Sequence, residues 1–104
     1  AYLTMRTDTG FSEGNTENQT YLNTLFGTTD QFPESATGVV YVFNPFATGY
    51  TYVTQQSMNM YSSLEVGRKY IGVLTDTSSI TGFNAFVTAS AFGSNTEFNI
   101  FGVK

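Results

Sequence analysis

Apolar and polar positions alternate with a period of two along much of this chain, and no interval carries the i, i+3, i+4, i+7 stripe of an amphipathic helix. The strongest segment is Gly38–Ser57. Val39–Phe43 is a run of five apolar or aromatic residues, three of them β-branched, a composition that fits a pleated surface. Asn44-Pro45 and Gly49 around Phe46 signal a turn, with Pro45 presetting φ and Gly49 tolerating positive φ. Tyr50, Tyr52 and Thr54 then alternate with Thr51 and Val53, as in a half-buried strand. The whole predicts a hairpin whose first arm is apolar on both faces.

The remaining segments extend this reading. Ala1–Thr7 places Leu3 and Met5 on one strand face and Tyr2, Thr4 and Arg6 on the other. Asp8–Thr20 has one apolar residue, Phe11, among glycines and asparagines, and is expected to be a long loop. Tyr21–Phe26 fits a strand or one helical turn, and Gly27–Ala36 a second loop. Met58–Leu64 continues the second hairpin arm past a bulge or bend, with a turn at Glu65-Val66-Gly67. Arg68–Leu74 is a strand in which Gly72 marks a bulge or a close backbone approach. Ile80–Ala91 has the clearest alternation, with Phe83, Ala85, Val87, Ala89 and Ala91 on one face. Thr96–Lys104 is a last strand with Phe98 and Ile100 inward. Seven or eight strands with turn signals between them predict an all-β fold, an antiparallel β-sandwich of jelly-roll type.

Composition narrows the chemistry. At 104 residues the chain is one domain, 1–104, burying roughly 65% of its unfolded surface. It has no cysteine and no histidine, which excludes disulfides, thiol catalysis and Ser-His-Asp arrangements. Charged residues are 12% of the chain, half the usual share of about 25%, with a net charge of -4 and no basic cluster. Nucleic acid is therefore not an expected partner. Without a run of 18 apolar residues, no membrane-spanning helix is expected either, nor is there a signal-peptide pattern. A chain that begins at Ala1 has lost an initiator Met or is one piece of a longer polypeptide. Few charges and 16% aromatics suit burial against another subunit, because ions are the groups most costly to desolvate.

Candidate chemical sites are sparse. Asp8, Glu13 and Glu17 share one Gly-rich loop and offer oxygen ligands for Ca²⁺, but their spacing does not fit an EF-hand. Glu97 is the only carboxylate within a predicted strand, and nothing pairs with it as glycosidase chemistry requires. No enzymatic activity and no cofactor are expected. Exposed Tyr50, Tyr52, Tyr61 and Tyr70 with Gln55, Gln56 and Asn59 nearby offer a glycan-stacking surface, centred on Tyr50, Tyr52, Tyr61 and Gln55. Packing in a core or at a subunit contact, with the hydroxyls at the edge, is the more expected use of these rings, since Trp, the preferred large stacking platform, is absent.

The final segment, Phe98-Asn99-Ile100-Phe101-Gly102-Val103-Lys104, resembles the closing strand F-x-[IL]-[FY]-G-[IV] of β-sandwich structural proteins in tailed-bacteriophage virions. Ala1–Asn15 is similar to their opening Tyr-Leu-x-Met strand and Gly/Asn-rich loop, and Val39–Val53 to their β-branched strand with its Asn-Pro and Tyr-rich return. Ile80-Thr81-Gly82-Phe83 fits the strand before the closing turn, whereas Gln31–Thr37 and Met58–Met60 match nothing in the pattern. The resemblance implies a virion-surface component without catalytic residues. Capsid decoration (cement) is the leading role. The alternative is a carbohydrate- or receptor-binding module of a tail or head fibre. Its implied partners are itself, as a homotrimer, and a major capsid or tail protein. A two-layer domain leaves no third layer for Val40 and Val42, so a subunit is their simplest cover, together with Phe46, Tyr50 and Tyr52.

Overall fold

A computed structural model describes residues 1–15, 35–86 and 93–103. Five strands form one open antiparallel sheet: β1 Tyr2–Arg6, β2 Gly10–Gly14, β3 Ala36–Phe43, β4 Thr51–Tyr61 and β5 Leu64–Leu74. Their order is β2-β1-β5-β4-β3, so β5 sits centrally and β2 and β3 lie at the edges. The chain is all-β, with no helix among the described residues. A second sheet, which a sandwich requires, is not seen among them.

The β3–β4 hairpin forms as its residues predict. Phe43 pairs with Tyr52, and the ladder runs in unbroken register to Ala36 opposite Asn59. The connection turns at Asn44, whose φ of 59° is left-handed, and the Ala47 N–H donates to the Asn44 carbonyl at 3.2 Å. Asn tolerates this region because its short side chain hydrogen-bonds locally. Positive φ therefore falls at Asn44, not at Gly49.

Three expectations are corrected. First, β4 runs without a bend to Tyr61, and the chain reverses at Ser62 and Ser63, not at Glu65–Gly67, which lies inside β5. Both serines have positive φ, 49° and 66°, as a two-residue type I′ hairpin demands. Asn-Gly is the preferred pair there, since serine carries a steric penalty in the left-handed region. Ser62→Asn/Ser63→Gly is expected to stabilise the protein by about 1 kcal/mol, read as a Tm increase of roughly 4–8 °C. An unchanged or lower Tm would argue against this turn.

Second, the expected loop at Asp8–Thr20 contains β2. Thr7–Thr9 makes a tight connection, and Gly10 at φ 75° begins the return strand, where glycine adopts a left-handed conformation at no steric cost. Gly14 pairs with Tyr2, whose ring lies across it, so a Cβ at Gly14 would collide with the phenol. An aromatic ring thereby covers a glycine on an edge strand. Third, Gly72 makes no bulge; it is buried and pairs in regular register with Val53.

Of the strands expected at Ile80–Ala91 and Thr96–Lys104, residues 80–86 and 96–103 carry no strand, while 87–92 and 104 lie outside the described residues. Phe83, Phe98, Ile100 and Phe101 are exposed. Residue 80 is tied back to the hairpin turn, its N–H donating to the Pro45 carbonyl at 2.7 Å. Tyr21–Phe26, most of Gly27–Ala36 and Glu17 of the acidic loop lie outside the described residues.

Candidate interaction surface

Pairing register sorts the strand residues onto two faces, since directly opposed residues of an antiparallel sheet share a side. One face carries Tyr2, Thr4 and Arg6 of β1, Val40 and Val42 of β3, the odd-numbered positions 51–59 of β4, and Val66, Arg68, Tyr70 and Gly72 of β5. The other carries Leu3, Met5, Phe11, Val39, Tyr41, Phe43, Tyr52, Met58, Met60, Ile71 and Val73, with Glu13, Glu65 and Lys69 among them.

Burial follows the first face. Val53, Val66 and Tyr70 are its buried hydrophobic residues, and Thr4, Thr51, Gln55, Ser57 and Asn59 are buried with them. Buried polar groups need partners, and several are visible. Gln55 Nε2 donates to Ser57 Oγ at 2.7 Å, and an Arg68 guanidinium nitrogen donates to Asn59 Oδ1 at 3.1 Å. Arg68 also lies near Arg6; burial, then the Arg6 charge, lowers its pKa from the usual arginine range. Arg6 itself forks onto Asp8, with Nε to Oδ1 at 2.9 Å and the terminal nitrogen to Oδ2 at 2.7 Å, clamping the β1–β2 connection. That hydrogen bond is the main cause holding the Asp8 carboxyl below its ordinary value of 3.8. Asp76 is lowered likewise by the Ser78 N–H, which donates to its Oδ1 at 2.8 Å.

The second face is the inverse: apolar and open. Leu3, Met5, Phe11, Val39, Tyr41, Phe43, Tyr52, Met58, Ile71 and Val73 are all exposed. Tyr41 and Phe43, two residues apart on β3, stack with ring centroids 6.4 Å apart and an interplanar angle of 28°. Five strands of 5, 5, 8, 11 and 11 residues make a sheet face of roughly 650 Å², at about 4.8 Å between strands and 3.4 Å per residue. Because Glu13, Glu65, Lys69, Thr54 and Gln56 share that face, its apolar part falls within the about 300–600 Å² of a typical monomer's largest, often functional, apolar patch.

The residues expected at an interface divide between the two sides of the sheet. Val40 and Val42 are 37% and 48% exposed and lie on the first face, at its β3 margin. Tyr52 is exposed on the second face, and Phe46 and Tyr50 are exposed in the turn. The residues of the glycan alternative are not brought together. Gln55 is 1% exposed and lies on the opposite face from Tyr52, while Tyr70, its partner on β5, and Asn59 are buried on that same face. Tyr61's side chain lies outside those described. Sequence reasoning missed Leu3, Met5, Ile71 and Val73 as surface residues, because alternation says which residues share a face and not which face is covered.

Charge is also distributed unevenly. No residue from Ser35 to Leu64 is charged, so β3, the turn and β4 form an uncharged half-sheet. Among the described residues no group of acidic side chains is arranged to hold a metal ion. In comparisons with known proteins, no family model, curated protein or solved structure matches this chain.

Proposed function

We propose that the chain is a non-enzymatic structural protein of a tailed-bacteriophage virion, a capsid decoration protein that works through protein–protein contacts at the particle surface. One observation carries this reading. A sheet face rich in Leu, Met, Val, Ile, Tyr and Phe, with Glu13, Glu65 and Lys69 among them, stands open, while Thr4, Thr51, Val53, Gln55, Ser57, Asn59, Val66 and Tyr70 of the opposite face are buried. Exposed apolar area of this extent marks a surface that functions by being covered. In this reading the cover on that face is a neighbouring protein of the particle. The contacts with a capsid lattice are then supplied by the uncharged half-sheet and its Phe46 turn, where no ion is desolvated on binding. Repetition over a particle lets weak individual contacts suffice.

Copy number in purified particles tests the reading, by quantitative mass spectrometry. Decoration requires on the order of hundreds of copies, one or more for each lattice position. Absence from particles rejects a virion role, and a few copies move the protein to a fibre or tail. A glycan-array signal lost on Tyr52→Ala, without capsid binding, supports the carbohydrate-binding alternative.

A further inference from the structure

Among the described residues, β3 has a strand on one side only, and the edge it presents is unusual. Native sheets blunt their edges with charges, proline, bulges or short length, because unpaired N–H and C=O groups template pairing with another chain. The opposite edge is blunted in this way: β2 is five residues long, with Glu13 within it and glycine at each end. β3 has none of these devices. It is eight residues long, free of charge and proline, in unbroken register with β4, and exposed along its whole length.

We propose that β3 is a self-pairing edge, at which a second copy of this chain adds its own β3 antiparallel across a two-fold axis centred on Val40. The partner is a second copy because the strand is self-complementary. A two-fold axis perpendicular to the sheet requires opposed positions to sum to an even number, so that each side chain meets one on its own face. Centred on Val40, the pairs are Val40–Val40, Val39–Tyr41, Gly38–Val42 and Thr37–Phe43. Each aromatic ring then opposes a β-branched residue, a favourable cross-strand combination. Centred on Val40, residues 37–43 pair and the left-handed Asn44 falls only beyond the end, opposite Ala36; shifting the centre to Tyr41 leaves only residues 39–43 paired, and shifting it to Val39 leaves Phe43 unpaired. Electrostatics agree: no residue from Ser35 to Leu64 is charged, so two copies meet without like-charge repulsion, and a charged partner finds no counter-ion here.

Area sets the strength. Val39–Phe43 are 37% to 53% exposed, leaving roughly 400 Å² open across the five side chains. That is below the approximately 800 Å² per partner of a standard stable interface, so association is reversible and concentration-dependent. The same axis keeps the apolar faces of both copies on one side of a continuous ten-stranded sheet. This inference is independent of the virion reading; either can fail without the other.

Sedimentation equilibrium from micromolar to near-millimolar concentration is expected to show a monomer–dimer equilibrium. Val40→Lys and Val40→Glu each place like charges face to face at the axis, so each alone is expected to dimerise at least tenfold more weakly. An equimolar mixture of the two restores the dimer, which a merely misfolded variant does not do. The chain has no cysteine, so Val40→Cys introduces a single thiol. Its Cα lies about 4.5–5.5 Å from its own copy, within disulfide reach. Val42→Cys, opposite Gly38, leaves its thiols about 13 Å apart along the ladder and stays reduced. A chain monomeric throughout, a trimer, a dimer indifferent to Val40→Lys, or cross-linking through position 42 in place of 40 overturns the proposal.

Discussion

Tyr70→Ala is expected to destabilise the protein by about 3–4 kcal/mol and to lower Tm by roughly 15–25 °C, as loss of a buried aromatic ring leaves a cavity as well as a transfer cost. Tyr70 lies on the central strand β5, opposite Tyr2 of β1 and Gln55 of β4, and among the described residues only Val53 and Val66 join it as buried hydrophobic residues. With so few apolar side chains buried among the described residues, loss of this ring removes a large share of their core. A total stability of about 5–15 kcal/mol leaves little margin. In urea the midpoint should fall with the m-value unchanged. A loss under 1 kcal/mol would mean that the ring does not hold β1 and β4 onto β5.

Gln55→Ala is the second large effect, expected at about 2–4 kcal/mol. Among the described residues Gln55 is the largest of the fully buried side chains, and its amide donates to Ser57 Oγ at 2.7 Å. Truncation leaves a cavity and removes the donor from a buried hydroxyl. Its neighbour provides the control. Gln56 is exposed on the other face, so Gln56→Ala should change stability by less than about 0.5 kcal/mol. Equal effects at the two positions would contradict the assignment of faces. The pair also separates structural from binding roles, since a glutamine that contacts a ligand from the surface is removed without a stability cost.

The hairpin of β3 and β4 was readable because two local signals agree: Val and aromatic side chains in the strands, and Asn-Pro between them. The Ser62–Ser63 reversal was not readable. Neither serine belongs to the residues that favour positive φ, and the Gly67 that resembled a turn signal occupies the middle of β5 with Met5 across it. There the cross-strand ladder of β4 and β5, eleven pairs long, overrides the local preference. β2 escaped notice for a similar reason. Gly-Phe-Ser-Glu-Gly has a single apolar residue, and only its ladder with β1 makes it a strand. In the candidate surface, Val40, Val42 and Tyr52 were readable as uncovered residues, whereas Gln55 was not readable as a buried one.

The amino-acid sequence alone indicated the class of structure: a period of two over much of the chain specifies strands, as found among the described residues, and the scarcity of charge and lack of histidine and cysteine narrow the chemistry. It also specified which residues of each strand share a side. It did not specify which side is covered. Alternation is symmetric between the two faces of a sheet, and a hydrophobicity argument alone would have turned Leu3, Met5, Tyr41 and Ile71 inward. Long-range pairing of β1 with β5, and of β4 with β5, decided otherwise, aligning Thr4, Gln55, Ser57 and Asn59 into a buried polar face with Arg68 donating to Asn59, and leaving the apolar one open. Strand partners distant in sequence decide which face closes, even where a buried side-chain bond such as Gln55 to Ser57 is local. The same sheet order left β3 at an edge, and an edge is a property of the assembled sheet, not of the strand.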